Sequence, residues 1–331
     1  MTGGSTYIVS LPRGWILSTG LQKGDSVTLR VTGEGALVVD PSSVRDSVQL
    51  VKSVEIAHTT DENALMRQLI GAYITGFGVI EIRSRGGRIP QSLKKVAQDF
   101  SRRVIGPEVI EENASLIVLQ DVADHSDLDM RKVVRRMHLM ASSMFEDAVR
   151  SIAENDCALA LDVISRDEEV DRLHWFLEKQ HSMTRRNASF ETKIKMGWLE
   201  CDSMLLVSKA VERMADHSTK IASLVDRMGH HGALTESHDP ITALASDAKK
   251  VMDESLASFF RRDFIAANGC IERSTKLRER AEVMVEDLVT KRANGVVWLA
   301  FIIASIERVC GYSSDICEIA VNLAIGDVQR P

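Results

Sequence analysis

The chain is poor in the residues that would staple a small secreted fold. Its five cysteines, Cys157, Cys201, Cys270, Cys310 and Cys317, are scattered and odd in number, with no C-x-x-C pair. That pattern excludes a disulfide scaffold and a zinc finger, and it points to a reducing, cytoplasmic setting. Aromatic residues make up only 5% of the chain while methionine occurs 13 times, a balance that favours packed helices over a β-sandwich. No uninterrupted apolar run reaches about 18 residues, so no membrane insertion is expected. The N-terminus lacks a basic segment followed by an apolar stretch, so no secretory signal is expected either. Positive charge is not in excess: 41 Lys and Arg face 47 Asp and Glu, a net −6, and any nucleic-acid surface must therefore be local. A Walker-type glycine loop is missing, as is any recognisable nucleophile elbow or triad, so the chain is not expected to be an enzyme.

What is present divides into segments. At 331 residues, 44% of them apolar, two or three domains are expected. Residues 1–45 read as short strands. Tyr7, Val9 and Leu11 alternate with polar or opposite-facing neighbours before Pro12, one helical turn fits Gly14 to Thr19, and a second alternating strand runs through Val27, Leu29 and Val31. Gly33-Glu34-Gly35 signals a hairpin and Ala36 to Val39 the return strand. So few strands are marginal alone, and the unit needs a second copy or a neighbour. Residues 46–122 read as a small α/β segment, with helices at Asn63–Tyr73 and Gln91–Arg103 and strands at Gly78–Ile82 and Ser115–Leu119. The intervening Arg83-Ser84-Arg85-Gly86-Gly87-Arg88-Ile89-Pro90 could cradle an anion, although a solvated turn into a helix with Pro90 near its start is the simpler reading.

From residue 123 the pattern is helical throughout. Met130, Val133, Val134, Met137, Met140, Met144 and Ala148 form one stripe, spaced by three and four. Val207, Val211, Met214, Ser218, Ile221, Val225 and Met228 form a second, and Ile306, Val309, Ser313, Ile316 and Ala320 a third. The helical part repeats itself. Asp156, Ala160, Ile164 and Arg166 recur 107 residues on as Asp263, Ala267, Ile271 and Arg273, while Glu212-Arg213 and Ile221 recur 95 residues on as Glu307-Arg308 and Ile316. Two tandem three-helix bundles, 123–228 and 239–327, are the economical architecture.

Asp167 and Asp171 stand at i and i+4, as do Glu212 and Asp216, so each pair shares a helix face. Carboxylates clustered on adjoining helices repel one another and attract a cation, and oxygen-only donors suit Mg, Ca, Mn or iron. Helix-surface charges paired to neighbours are the simpler alternative. The second repeat differs: Ser274, Arg278 and Gly311 stand where Asp167, Asp171 and Asp216 would be. We expect Arg278 to pair with Glu307 there, which leaves one metal site. A carboxylate-bridged di-iron oxidase would need Glu-x-x-His motifs on two helices. Glu178-x-x-His181 and the looser Asp171-x-x-His174 fall on one helix, which disfavours it.

Two resemblances follow from these motifs. The run Gly3 to Trp15, with Gly20-Leu21 and Lys23-Gly24-Asp25, is similar to the AbrB/SpoVT family. It implies strand-swapped hairpins, a homodimer, and a DNA-binding surface for which Arg13, Lys23 and Arg30 are the candidate phosphate contacts. A dimerisation module that touches no DNA is the alternative. A plain antitoxin, the third reading, would not need the 280 or so residues that follow. The runs Asp167 to Leu173, Glu212 to His217 and Glu307 to Ile316 resemble the PhoU family in order, spacing and duplication. That resemblance implies metal, often iron or zinc, at Asp167, Asp171, Glu212 and Asp216, and a role in damping phosphate uptake. The partners it implies are a phosphate transporter's ATPase or a sensor kinase. The expected whole is a mainly α regulator of phosphate uptake with a small β DNA-binding domain in front. The alternative is a cytoplasmic metal-binding adaptor whose hairpin only dimerises.

Overall fold

A computed structural model describes residues 7–31, 35–41, 49–186, 188–230, 239–290 and 295–326. The predicted hairpin is present. Helix α1 (Arg13–Thr19) ends on Gly20, whose φ of 73° lets it close the turn in the left-handed region. Strands β1 (Thr28–Val31) and β2 (Leu37–Asp40) pair antiparallel, Thr28 opposite Asp40 and Val31 opposite Leu37. The predicted strand at Tyr7–Leu11 is a correction: this stretch is extended and pairs with no strand among the described residues. Tyr7 and Ile8 are almost fully exposed, so a single copy offers their alternating pattern no sheet to join. Gly33 and Glu34 of the predicted turn lie outside the described residues.

The α/β unit has four strands rather than the two expected: β3 (Val51–Ile56), β4 (Val79–Ser84), β5 (Pro107–Glu112) and β6 (Leu116–Asp121), in the order β3-β4-β6-β5. β3 and β4 are parallel and the other pairs antiparallel. Helix α2 (Glu62–Ile74), capped by the Asp61 carboxylate on Ala64 N at 2.7 Å, provides the crossover between the parallel strands, and α3 (Gln91–Arg103) follows β4. Val54, Ile80, Ile82, Ile117 and Leu119 bury the sheet face against Leu65, Leu69, Tyr73 and Phe100. The arginines of the β4–α3 turn belong to the surface: Arg83 bonds Glu81 at 2.8 Å and Arg85 pairs with Glu55.

The helical part comprises α4 (Met130–Glu154), α5 (Cys157–Arg186), the short α6 (Ala188–Ile194), α7 (Trp198–His230), α8 (Asp239–Arg261), α9 (Phe264–Thr290) and α10 (Val296–Gly326). The three predicted stripes are its core. Of the α4 stripe only Met140 is less than fully buried, every described side chain of the α7 and α10 stripes is buried, and the side chain of Met228 lies outside the description. α7 packs on α10, so the two repeats share one continuous core rather than two.

The repeat also holds at the atomic level. Asp156 caps α5 on Leu159 N at 2.9 Å and Asp263 caps α9 on Ala266 N at 3.0 Å. Each follows a residue with left-handed φ, Asn155 at 53° and Arg262 at 52°. Ala160 and Ala267 are both fully buried, and Arg166 and Arg273 each reach back to an acid on the preceding helix, Asp147 and Glu254. α10 is long and apolar enough to cross a bilayer by composition, but half of that window is buried, and the helix packs on α7, α8 and α9 as a core helix does.

Candidate metal centre and the buried clasp beside it

On α5, Val170 and Leu173 point into the core, Glu168 turns outward to Arg103 of α3 at 3.1 Å, and Glu169 takes Arg136 of α4 at 2.8 Å. Helical spacing then leaves Asp167 and Asp171 on the face toward α7. There Asp171, Glu212 and Asp216 each bring a carboxylate oxygen within 4.8 Å of the others. Asp167, one turn away, lies outside that trio but feels it. Burial and the neighbouring Glu212 and Glu168 raise its carboxyl above the usual range.

The trio is electrostatically unfavourable without a counter-ion. Burial, then Asp167, Glu212 and Asp216, push Asp171 up to about 7, and burial with Glu212 and Asp167 pushes Asp216 to about 6. An ammonium that opposes this is Lys209, which bonds Glu212 Oε1 at 3.0 Å and is half exposed. The other Glu212 oxygen, Oε2, is buried without a hydrogen-bond donor, with Arg213 Nε 3.8 Å away. A buried acceptor of this kind and an all-oxygen donor set fit a hard cation such as Mg or Mn, and iron as well.

The histidines near the motifs are turned elsewhere. His217 faces the ring of Tyr312 on α10 at 5.9 Å between centroids, and burial beside Lys220, Arg308 and Arg213 pushes it down to about 4. His174 Nδ1 meets Ser208 Oγ at 3.0 Å and His181 Nε2 meets Asp202 at 2.5 Å. None of the three joins the carboxylate trio among the described residues.

In the second repeat Arg278 Nε bonds Glu307 Oε1 at 2.5 Å, as expected, and Ser274 Oγ donates to the Cys310 carbonyl beside Gly311. A guanidinium thus occupies the place of the first repeat's carboxylates. Because Arg278 is 44% exposed, replacing it with Ala should cost only about 0.5–1 kcal/mol in a urea titration. Bound metal, measured by elemental analysis, should not change; a fall in metal content would mean that the second repeat holds a site too.

One constellation was not anticipated. Lys179 of α5 is 1% exposed and ion-pairs with Asp121 at the end of β6, and its ammonium lies 4.3 Å from the centre of the Tyr73 ring. His125 Nε2 meets the same Asp121 oxygen at 2.6 Å. Gln180 donates to the carbonyls of His125 and Leu128 at 2.6 and 2.7 Å. Burial lowers Lys179 while Asp121 opposes it; burial raises Asp121, but His125 and Lys179 outweigh it and hold that carboxyl low. Gly106, at φ 109°, completes the close packing, since a Cβ there would collide with the Asp121 carboxylate. The group clasps the α/β unit to the bundle.

Of the proposed DNA contacts, Arg13 opens α1 and Lys23 lies in the turn before β1, while the side chain of Arg30, on β1, lies outside the description.

Comparison with known proteins agrees with the helical fold. Residues 134–225 match the PhoU domain family, and residues 1–46 match the bacterial antitoxin family MazE, of antidote-toxin recognition. A phosphate-specific transport system accessory protein PhoU homolog of Pseudomonas aeruginosa is 23% identical over 217 residues, covering 61% of this chain and 85% of that protein. Its namesake in Clostridium acetobutylicum is 21% identical over 213 residues, covering 61% and 94%. The crystal structure of PhoU from Pseudomonas aeruginosa superposes on 60% of this chain with a TM-score of 0.53 at 20% identity. That of the phosphate transport system regulatory protein PhoU from Streptococcus pneumoniae gives 0.50 at 15%. Residues 134–225 are thus similar to the PhoU domain family, in a chain whose first 46 residues are similar to the MazE antitoxin family.

Proposed function

We propose that this chain is a cytoplasmic, metal-binding accessory regulator of phosphate transport that acts as a homodimer and binds DNA through its N-terminal hairpin. The observation that carries the sensor half is the convergence of Asp171, Glu212 and Asp216 on facing helices of the PhoU domain. These three would hold a cation, which would supply the positive charge that the cluster otherwise lacks. Asp167 would orient and further polarise the site. The likeness to phosphate-transport accessory proteins over about 215 residues supports the transport connection, and a transporter's ATPase or a sensor kinase is the proposed partner.

The hairpin supports the DNA-binding half. Tyr7 to Leu11 is extended with no sheet partner among the described residues, the state expected of a strand that a second copy completes. Dimerisation would bring six cations, Arg13, Lys23 and Arg30 from each copy, onto one surface. Neutralising that many phosphates gives steeply salt-dependent binding. We expect the intact protein to bind DNA from upstream of phosphate-transport genes at low salt. Replacing Arg13, Lys23 and Arg30 by Ala should weaken binding roughly a hundredfold and flatten the salt slope. An intact dimer that binds no DNA, with or without Mn2+, would leave the adaptor role in its place.

A further inference from the structure

Helix direction gathers two interhelix turns at one end of the bundle: the α6–α7 turn, which delivers Trp198 and Leu199, and the α8–α9 turn, which delivers Phe264 and Ile265. Glu200 ties the two turns together. Its carboxylate takes Arg131 of α4 at 2.8 Å and lies 3.8 Å from Arg262. The four apolar side chains are 53%, 61%, 48% and 82% exposed respectively. Large apolar residues exposed together on two adjoining turns are the kind of feature that marks a contact surface.

The charge around them leans positive. Arg185 lies 5.8 Å from the centre of the Trp198 ring, and Lys195 and Arg261 are exposed beside the two turns. Across residues 185–202 and 261–263 there are six Lys and Arg against four Asp and Glu, in a chain whose net charge is −6. Glu200 is engaged by Arg131, Asp202 by His181 and Asp263 by the first turn of α9. The end of the bundle therefore presents apolar tips flanked by the exposed cations Arg185, Lys195 and Arg261.

We propose that this end of the bundle docks on an anionic lipid surface, with Trp198, Leu199, Phe264 and Ile265 entering the interfacial layer and the surrounding Arg and Lys meeting lipid headgroups. An aromatic and aliphatic tip flanked by Arg is suited to the boundary between headgroup and acyl chain. Acidic lipid adds attraction for each nearby cation. The protein lies on such a surface rather than crossing it.

The test is flotation of the full-length protein with vesicles of phosphatidylcholine alone and of phosphatidylcholine with phosphatidylglycerol, over a range of salt. Binding to the acidic vesicles that weakens with salt is expected. The combined substitution W198S, L199S, F264S and I265S should weaken it roughly tenfold or more. Because these side chains are exposed, the variant should keep its helical circular dichroism and melting temperature, which separates lost docking from lost folding. The N-terminal cations Arg13, Lys23 and Arg30 serve as a control, since their replacement should leave vesicle binding in place. Equal binding to neutral vesicles would overturn the proposal, as would undiminished binding by the four-residue variant. So would a concentration-dependent self-association that the variant abolishes in the absence of lipid.

Discussion

Replacing Lys179 with Met is expected to destabilise the protein by about 3–5 kcal/mol, because removing one partner of a buried ion pair leaves the other charge uncompensated. Asp121 would keep only His125 at 2.6 Å and the Ala123 amide at 3.2 Å. The Lys179 stem, packed beside Tyr73, is replaced by a side chain of similar length, so the loss reports mainly on charge. Changing Asp121 to Asn in the same chain should recover part of it, and a double-mutant cycle in urea would give the coupling between the two groups. The loss should be local as well as global. Amide hydrogens of β3 to β6 should exchange faster in the single variant than those of α7 and α10, because the clasp holds the α/β unit to the bundle. A Lys179→Met protein with unchanged urea midpoint and uniform exchange would show that packing around Tyr73 and Phe176 holds the two parts together without the ion pair.

The second large effect concerns the carboxylate trio. A carboxyl raised in the folded state holds its proton to higher pH than it does in the unfolded chain. Between the ordinary 3.8 and about 7 for Asp171, the folded protein therefore binds more protons, and stability falls as pH rises through that window. Asp216, raised to about 6, acts in the same direction. Since both groups are partly solvated, the screened penalty is about 1–2 kcal/mol rather than the full value of the shift. In chelator, Asp171→Asn should thus melt higher than the parent at pH 8 and equal to it near pH 4. With Mn2+ the order should reverse. The parent should gain about 2.7 kcal/mol at a hundredfold excess of free metal over its dissociation constant, and the variant little or nothing. Calorimetric melting with EDTA and with Mn2+ at both pH values checks every arm. A metal-induced shift that survives in Asp171→Asn would move the site away from these residues.

The sequence made the helices and their repeat easy to read because burial imposes a strict spacing on them. Met137 to Ala148, Val207 to Val225 and Ile306 to Ala320 are stripes whose period survives any ambiguity at the ends. The Arg278–Glu307 pair was equally visible, since a helical hairpin turning near Asn294-Gly295 puts the two level with each other. β3 and β5 were not visible, for a physical reason. Both lie at sheet edges, where one side of the strand faces solvent, so β3 breaks its alternation with Lys52 and Ser53, and β5 carries Glu108, Glu111 and Glu112. The clasp was missed because Asp121 and Lys179 are 58 residues apart, and a lysine in a helix usually reads as a solvated charge. A signal did exist. α5 buries Leu173, Phe176 and Leu177 toward the bundle and Lys179 toward the α/β unit, so it is covered on more than one side and lacks a clean polar face.

That double burial makes α5 a lever. It is one unbroken helix from Cys157 to Arg186, with Asp171 in the carboxylate trio and Lys179 in the clasp. Eight residues separate the two, about 12 Å along the axis, with no joint between them. A cation held at the carboxylates would therefore act on the same helix that anchors Asp121 and the end of β6. The carboxylate trio and the clasp are thus carried by one continuous element.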